Sequence, residues 1–211
     1  MKRNEKIALI LNIILVIFFF IGLFSALKEN INIIEYYTED SNILSAISSI
    51  IFVVFLLIKK DIKHIPNWVC VLRFVGTTCL TLTFIVVVTI LVPLDTNSLK
   101  DGYVRFLLQG SMLYHHFLCP VISFISFTIF EANKNLNKKK YIWYALIPTF
   151  IYGFIFIILN ILKVVNGPYP FLRVYNQSVF ISLIWIVVIF SVNYLIAQLI
   201  LYLNQLRANR D

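Results

Sequence analysis

Two adjacent histidines, His115 and His116, sit in the middle of an apolar stretch. Hydrocarbon is an unfavourable place for a polar side chain, so residues of this kind usually have a task. An imidazole can bind a metal, carry a proton, or serve as base for a nucleophile. A metal site needs three or four ligands, and the one further histidine, His64, lies in a polar connection. No metal and no other cofactor is expected. A proton relay calls for a carboxylate inside the membrane. Glu131 closes the same stretch, roughly 22 Å from His116 at 1.5 Å per residue, too far for direct pairing. A hydroxyl nucleophile needs only to be brought to the ring by folding. Gln109, His116 and Ser123 are spaced by seven and share one helical face, while His115 shares another with Ser111 and Cys119. Cys119, one turn from both histidines, is an alternative nucleophile.

A second polar series runs through Thr38, Ser41, Asn42, Ser45, Ser48 and Ser49. Steps of three, four and seven place most of them on one face, turned into the protein. The inner serines suit a small-residue packing seam. Thr38 and Asn42 lie near one mouth beside Glu39 and Asp40, two carboxylates expected to be solvated at a helix N-terminus. A third feature is the loop Asn166-Gly167-Pro168-Tyr169-Pro170-Phe171-Leu172-Arg173. Its prolines and glycine impose a stiff, non-helical path. Its apolar side chains would dip toward the membrane, as a wall or lid over a cavity.

These residues need elements to hold them. Of the 211 residues, 60% are hydrophobic and 13% charged, where a soluble domain has about 25% charged. A bilayer resolves the excess, since about 20 apolar residues cross it as one helix. Six stretches qualify, at about 7–27, 36–58, 68–92, 106–130, 141–162 and 178–203. The expectation is an all-α polytopic membrane protein, a single domain over 1–211, with six antiparallel spans in one bundle. The first stretch is too long for a cleaved signal segment and lacks a clear cleavage site.

Charge orients the bundle. With the N-terminus inside, the inner segments hold Lys2, Arg3, Lys6, Lys59, Lys60, Lys63, Lys134, Lys138, Lys139, Lys140, Arg207 and Arg210. The outer loops hold Lys28, Lys100, Arg105, Lys163 and Arg173. Acidic residues sharpen the contrast: Glu29, Glu35, Glu39, Asp40, Asp95 and Asp101 fall outside, against Glu5, Asp61, Glu131 and Asp211 inside. Both termini are therefore expected on the cytoplasmic side. Arg73, near the inner end of the third span, is expected to snorkel inward. The net charge of +8 serves topology and anionic headgroups rather than nucleic acid, since no basic face interleaved with aromatics is present. Cys70, Cys79 and Cys119 all lie in apolar stretches, and no disulfide framework is expected.

Tyr36-Tyr37-Thr38-Glu39-Asp40-Ser41-Asn42 resembles the aromatic-Thr-x-x-Ser-Asn segment of a bacterial family of six-span integral membrane proteins. His116 with Pro120 resembles that family's His-x-x-x-Pro, and Tyr169-Pro170-Phe171-Leu172 is similar to its Tyr-Pro-Phe-Leu. The resemblance covers nearly the whole chain in order. That family looks related to the animal androgen-induced membrane proteins, which hydrolyse fatty acid esters of hydroxy fatty acids with a threonine and a histidine inside the membrane. It implies Thr38 as nucleophile, His116 as base and a bacterial cytoplasmic membrane. The animal proteins' spacing, five residues before the proline, falls on His115, which stays open as the alternative base. Asn42, Ser41, Gln109, Tyr169, Phe171 and Arg173 are the expected substrate contacts. Membrane lipids and a lipid ester are the expected partners, and the oligomeric state stays open. Two other functions compete: a small transporter or channel subunit, and a non-catalytic lipid-binding protein. The sequence offers the former no intramembrane acidic residue and no pair of Gly/Pro-broken spans.

Overall fold

A computed structural model of the chain describes residues 1–95, 98–134, 136 and 139–210, without the side chain of Asp95. Lys138 of the lysine run and Asp211 lie outside the described residues. The protein is all-helical, because backbone polar groups in lipid must be satisfied within the segment that carries them. Among the described residues, six helices are long and apolar enough to span a membrane: α1 (Arg3–Lys28), α2 (Tyr37–Lys59), α3 (Asn67–Leu94), α5 (Gly110–Phe130), α6 (Lys140–Ile161) and α7 (Val179–Ala208). A short helix, α4 (Leu99–Leu108), precedes α5. This is a multi-pass membrane protein. The start of α1 and the finish of α7 lie at one end of the bundle, the terminal end, where Asn12 and Arg207 reach Glu131 and the Ile129 carbonyl.

Helix α3 is the centre, with its flanks buried from Val69 to Thr83. It packs very closely on α2: a Cβ on Gly76 would meet Ser48 Oγ at 2.9 Å and the Ser45 Cα at 3.1 Å. Hydroxyl pairs cross the interfaces, Ser41 to Thr83 at 2.9 Å and Thr77 to Ser123 at 2.9 Å. Arg73 does not snorkel. Its guanidinium is fully buried and donates to both Glu131 oxygens, at 3.0 and 2.9 Å. Asn12 of α1 and Ser126 of α5 donate to the same carboxylate, each at 2.7 Å. Glu131 is only 2% exposed, so these donors take the place of hydration.

The stretch 106–130 is not one helix. The backbone is extended at Gln109 (ψ 140°) and left-handed at Gly110 (φ 51°), which separates α4 from α5. Glycine suits that turn, because a Cβ there would also collide with the Glu29 carboxylate. Glu29 instead caps α5, accepting from the Ser111 amide at 3.1 Å and its hydroxyl at 2.7 Å. Slight burial acts to raise the Glu29 carboxyl, but hydrogen bonds from Ser111 and Ser25 outweigh it and hold it below the usual range. Two spans also widen locally into underwound π turns, Val87–Leu91 in α3 and Leu113–Leu118 and Ser126–Phe130 in α5. The first two are each followed within two residues by a proline, Pro93 or Pro120. Proline has no N–H for the carbonyl four residues back and its ring crowds that carbonyl. The preceding ladder shifts by one residue, so that the Cys119 amide bonds to the Tyr114 carbonyl.

Candidate functional site

Helix α2 begins at Tyr37, which puts Thr38 and Glu39 in its first turn, where amides lack partners in the helix. The Thr38 amide donates to the Tyr169 hydroxyl at 3.3 Å. The Thr38 hydroxyl lies 3.2 Å from His116 Nε2 and 3.4 Å from the same Tyr169 hydroxyl. On the other side of the ring, His116 Nδ1 lies 2.9 Å from the Phe106 carbonyl. That carbonyl belongs to the last turn of α4, where carbonyls are unpaired because the helix stops at Leu108. A carbonyl only accepts, so Nδ1 carries the hydrogen and Nε2 turns its lone pair on Thr38. The Phe106 ring stacks on the imidazole at 19° between planes.

His115 occupies a different setting. Its Nδ1 lies 2.9 Å from Glu39 Oε1 and its Nε2 lies 3.2 Å from the Phe19 carbonyl of α1. Both nitrogens are engaged away from Thr38, so His116 is the histidine that reaches the threonine. Glu39 is not a solvated carboxylate but only 4% exposed, while its neighbour Asp40 is exposed. Glu131 and Glu5 are comparably buried, so among the described residues the bundle covers acidic side chains where none was expected. The π turn that contains both histidines is a local geometry common at functional positions. Only Pro120 announces it in the sequence.

The expected substrate contacts separate. Tyr169 and Arg173 line, with Thr38, Glu39, Phe106 and His116, a cavity of about 430 Å³ at the end opposite the termini. Arg173 is fixed at the lip by donating to the Gly167 carbonyl at 3.1 Å. Phe171 stacks on the far face of Tyr169, ring centroids 5.2 Å apart. Ser41 and Asn42 are buried behind Thr38, both donating to its carbonyl, at 2.9 and 2.8 Å. Asn42 also donates to the His115 carbonyl at 3.1 Å, tying α2 to α5. Gln109 is exposed in the break before α5 and shares no face with His116. The break also moves His116 outward: it stands six residues into α5, roughly 9 Å, rather than near mid-depth. Cys119 points at the Leu15 carbonyl of α1 and is fully buried. All three cysteines are free.

Burial pushes the Tyr169 phenol up to about 12, so it remains a proton donor. A proton can thus pass from Thr38 to His116 while Tyr169 donates to the oxygen left behind. Fold and site define a helical multi-pass membrane protein with a threonine–histidine contact open to a cavity at one end of the bundle. Compared with known proteins, the chain matches no family model, no curated protein and no solved structure.

Proposed function

We propose that this protein is an intramembrane lipid-ester hydrolase, with Thr38 as nucleophile and His116 as general base. The observation that carries the reading is the 3.2 Å contact between the Thr38 hydroxyl and the lone-pair nitrogen of His116, at the wall of a cavity large enough for a substrate. The distance is within reach of direct proton transfer. The motif resemblance supports the same pair, and the charge bias supports a cavity facing away from the cytoplasm.

The chemistry balances within the site. His116 Nε2 takes the Thr38 proton as the oxygen attacks the ester carbonyl. Collapse of the tetrahedral adduct breaks the ester C–O bond, and His116 returns the proton to the departing alcohol. A water, deprotonated by His116, then attacks the acyl-threonine; the bond between the acyl carbon and the Thr38 oxygen breaks, His116 returns the proton to that oxygen, and the fatty acid leaves. Negative charge develops at the N-terminus of α2, whose dipole favours it, beside the Tyr169 hydroxyl.

Purified protein should release fatty acid from an ester of a hydroxy fatty acid, and Thr38→Ala should abolish that activity. Undiminished hydrolysis by the variant overturns the assignment. A non-catalytic lipid-binding protein would use the same cavity, and would bind the ester without cleaving it.

A further inference from the structure

Across the Tyr169 ring from the reactive cavity lies a second hollow, of about 160 Å³. Tyr169 lines both. The hollow runs between α6 and α7, from Phe171 and Leu172 in the loop down to Phe150. Phe150 is eleven residues below the end of α6 at Ile161, roughly 16 Å. The wall is almost wholly apolar. Its hydroxyls are already paired, Tyr37 with Thr149 at 2.8 Å, and Thr149 accepts from Asn193 at 2.8 Å. The hollow therefore offers no recognition to a polar ligand.

Two features show how it is kept open. The first half of α7 stands away from the bundle: Val179, Phe180 and Val187 are 77%, 71% and 64% exposed. The hollow can thus meet bilayer hydrocarbon from the side. On α6, Gly153 faces the hollow, and a Cβ added there would have nothing within 4 Å. Glycine inside a helix is destabilising relative to alanine. Elsewhere in the bundle a close approach explains it: Gly22 lies against His115 and Gly76 against Ser48. At Gly153 no neighbour requires it, and its effect is to leave the hollow unfilled.

We infer that this hollow is an acyl slot. It receives one hydrocarbon arm of the ester whose carbonyl lies at Thr38, and Gly153 sets how much chain it admits. The inference rests on the hydrolase reading above. A chain longer than the hollow continues between α6 and α7 into the lipid. A chain arriving from hydrocarbon gains little from leaving water, so the slot acts by orienting the carbonyl against Thr38.

Gly153→Phe fills the slot, and Gly153→Ala narrows it with little demand on folding. Both would be purified in detergent, checked as single monodisperse species, and assayed on a palmitoyl ester and an acetyl ester of the same hydroxy fatty acid. The ratio of kcat/KM for the long over the short ester should fall about ten- to hundredfold in Gly153→Phe, and less in Gly153→Ala. As a readout free of turnover, a diazirine-bearing palmitoyl probe on Thr38→Ala protein should label peptides containing 150–157 or 185–190. An unchanged ratio in folded Gly153→Phe, or labelling confined to other helices, overturns the slot. So does cross-linking of α7 to a second copy of the chain in place of the probe. Absence of ester hydrolysis by the unaltered protein overturns the hydrolase reading instead, and the probe then decides the slot by itself.

Discussion

The ring nitrogens of His116 face a carbonyl on one side and a hydroxyl on the other, which fixes one neutral tautomer. Those of His115 face two acceptors, the Glu39 carboxylate and the Phe19 carbonyl. The contact at Glu39 holds together only if the pair keeps one shared proton between Nδ1 and Oε1. The neighbours are thereby set to different tasks: His116 can accept a proton, and His115 ties α1, α2 and α5 together. His116→Ala should lower hydrolysis by about 10²- to 10⁴-fold with a stability change near 1 kcal/mol. His115→Ala strands a buried carboxylate and should destabilise by about 3–5 kcal/mol. Thermal unfolding in detergent beside the esterase assay separates the two, and the opposite pattern would exchange their roles. The sequence makes both histidines visible as polar groups in hydrocarbon. It does not show that Glu39 is covered, because the helices that cover it come from 20 residues earlier and 76 later.

Helix α5 illustrates what periodicity misses. Spacing by seven aligns Gln109 with His116 only on an unbroken helix, and Gly110 breaks it. The break is productive, since the carbonyl it frees in α4 is the one that orients His116. Pro120 acts on the other side of the pair. Pro120→Ala should let the ladder close in ordinary α register and turn the histidines relative to α2. Hydrolysis should then drop by about 10²-fold, with unfolding temperature unchanged or raised because a helix-breaking residue is gone. Full activity in the variant would separate the π turn from the site. The proline is legible from the sequence, but its consequence depends on how α5 seats against α2, through contacts such as Asn42 to the His115 carbonyl.

For the whole molecule, composition and charge were enough to read six spans, because lipid asks so uniformly for apolar helices. The buried ionic centre was not legible. Arg73 and Glu131 are 58 positions apart, and a lone arginine near a span's end reads as a snorkelling side chain. Four helices converge on that carboxylate or its arginine through Asn12, Ser48, Arg73 and Ser126. Arg73→Leu alone should destabilise by about 3–5 kcal/mol, while Arg73→Leu with Glu131→Leu should recover most of the loss. Chemical denaturation in mixed micelles measures both. A double variant as unstable as the single one would mean that the network, rather than the charge pair, holds the terminal end.

Helix α7 is tied down at only one of its ends. Asn204 donates to the Phe127 carbonyl at 2.7 Å, and Ile200 and Leu201 are buried beside it, while the half from Val179 to Val188 touches little of the bundle. With 30 residues, α7 is about 45 Å long, against a hydrocarbon core of about 30 Å. Its excess apolar length is met by tilt, by a kink or by local thickening of the bilayer, and with its terminal half anchored, any tilt falls on the free half that forms one wall of the hollow at Gly153. The thickness of the host bilayer is thereby coupled to the width of that opening, so lipid composition acts on this protein as a mechanical setting as well as a solvent.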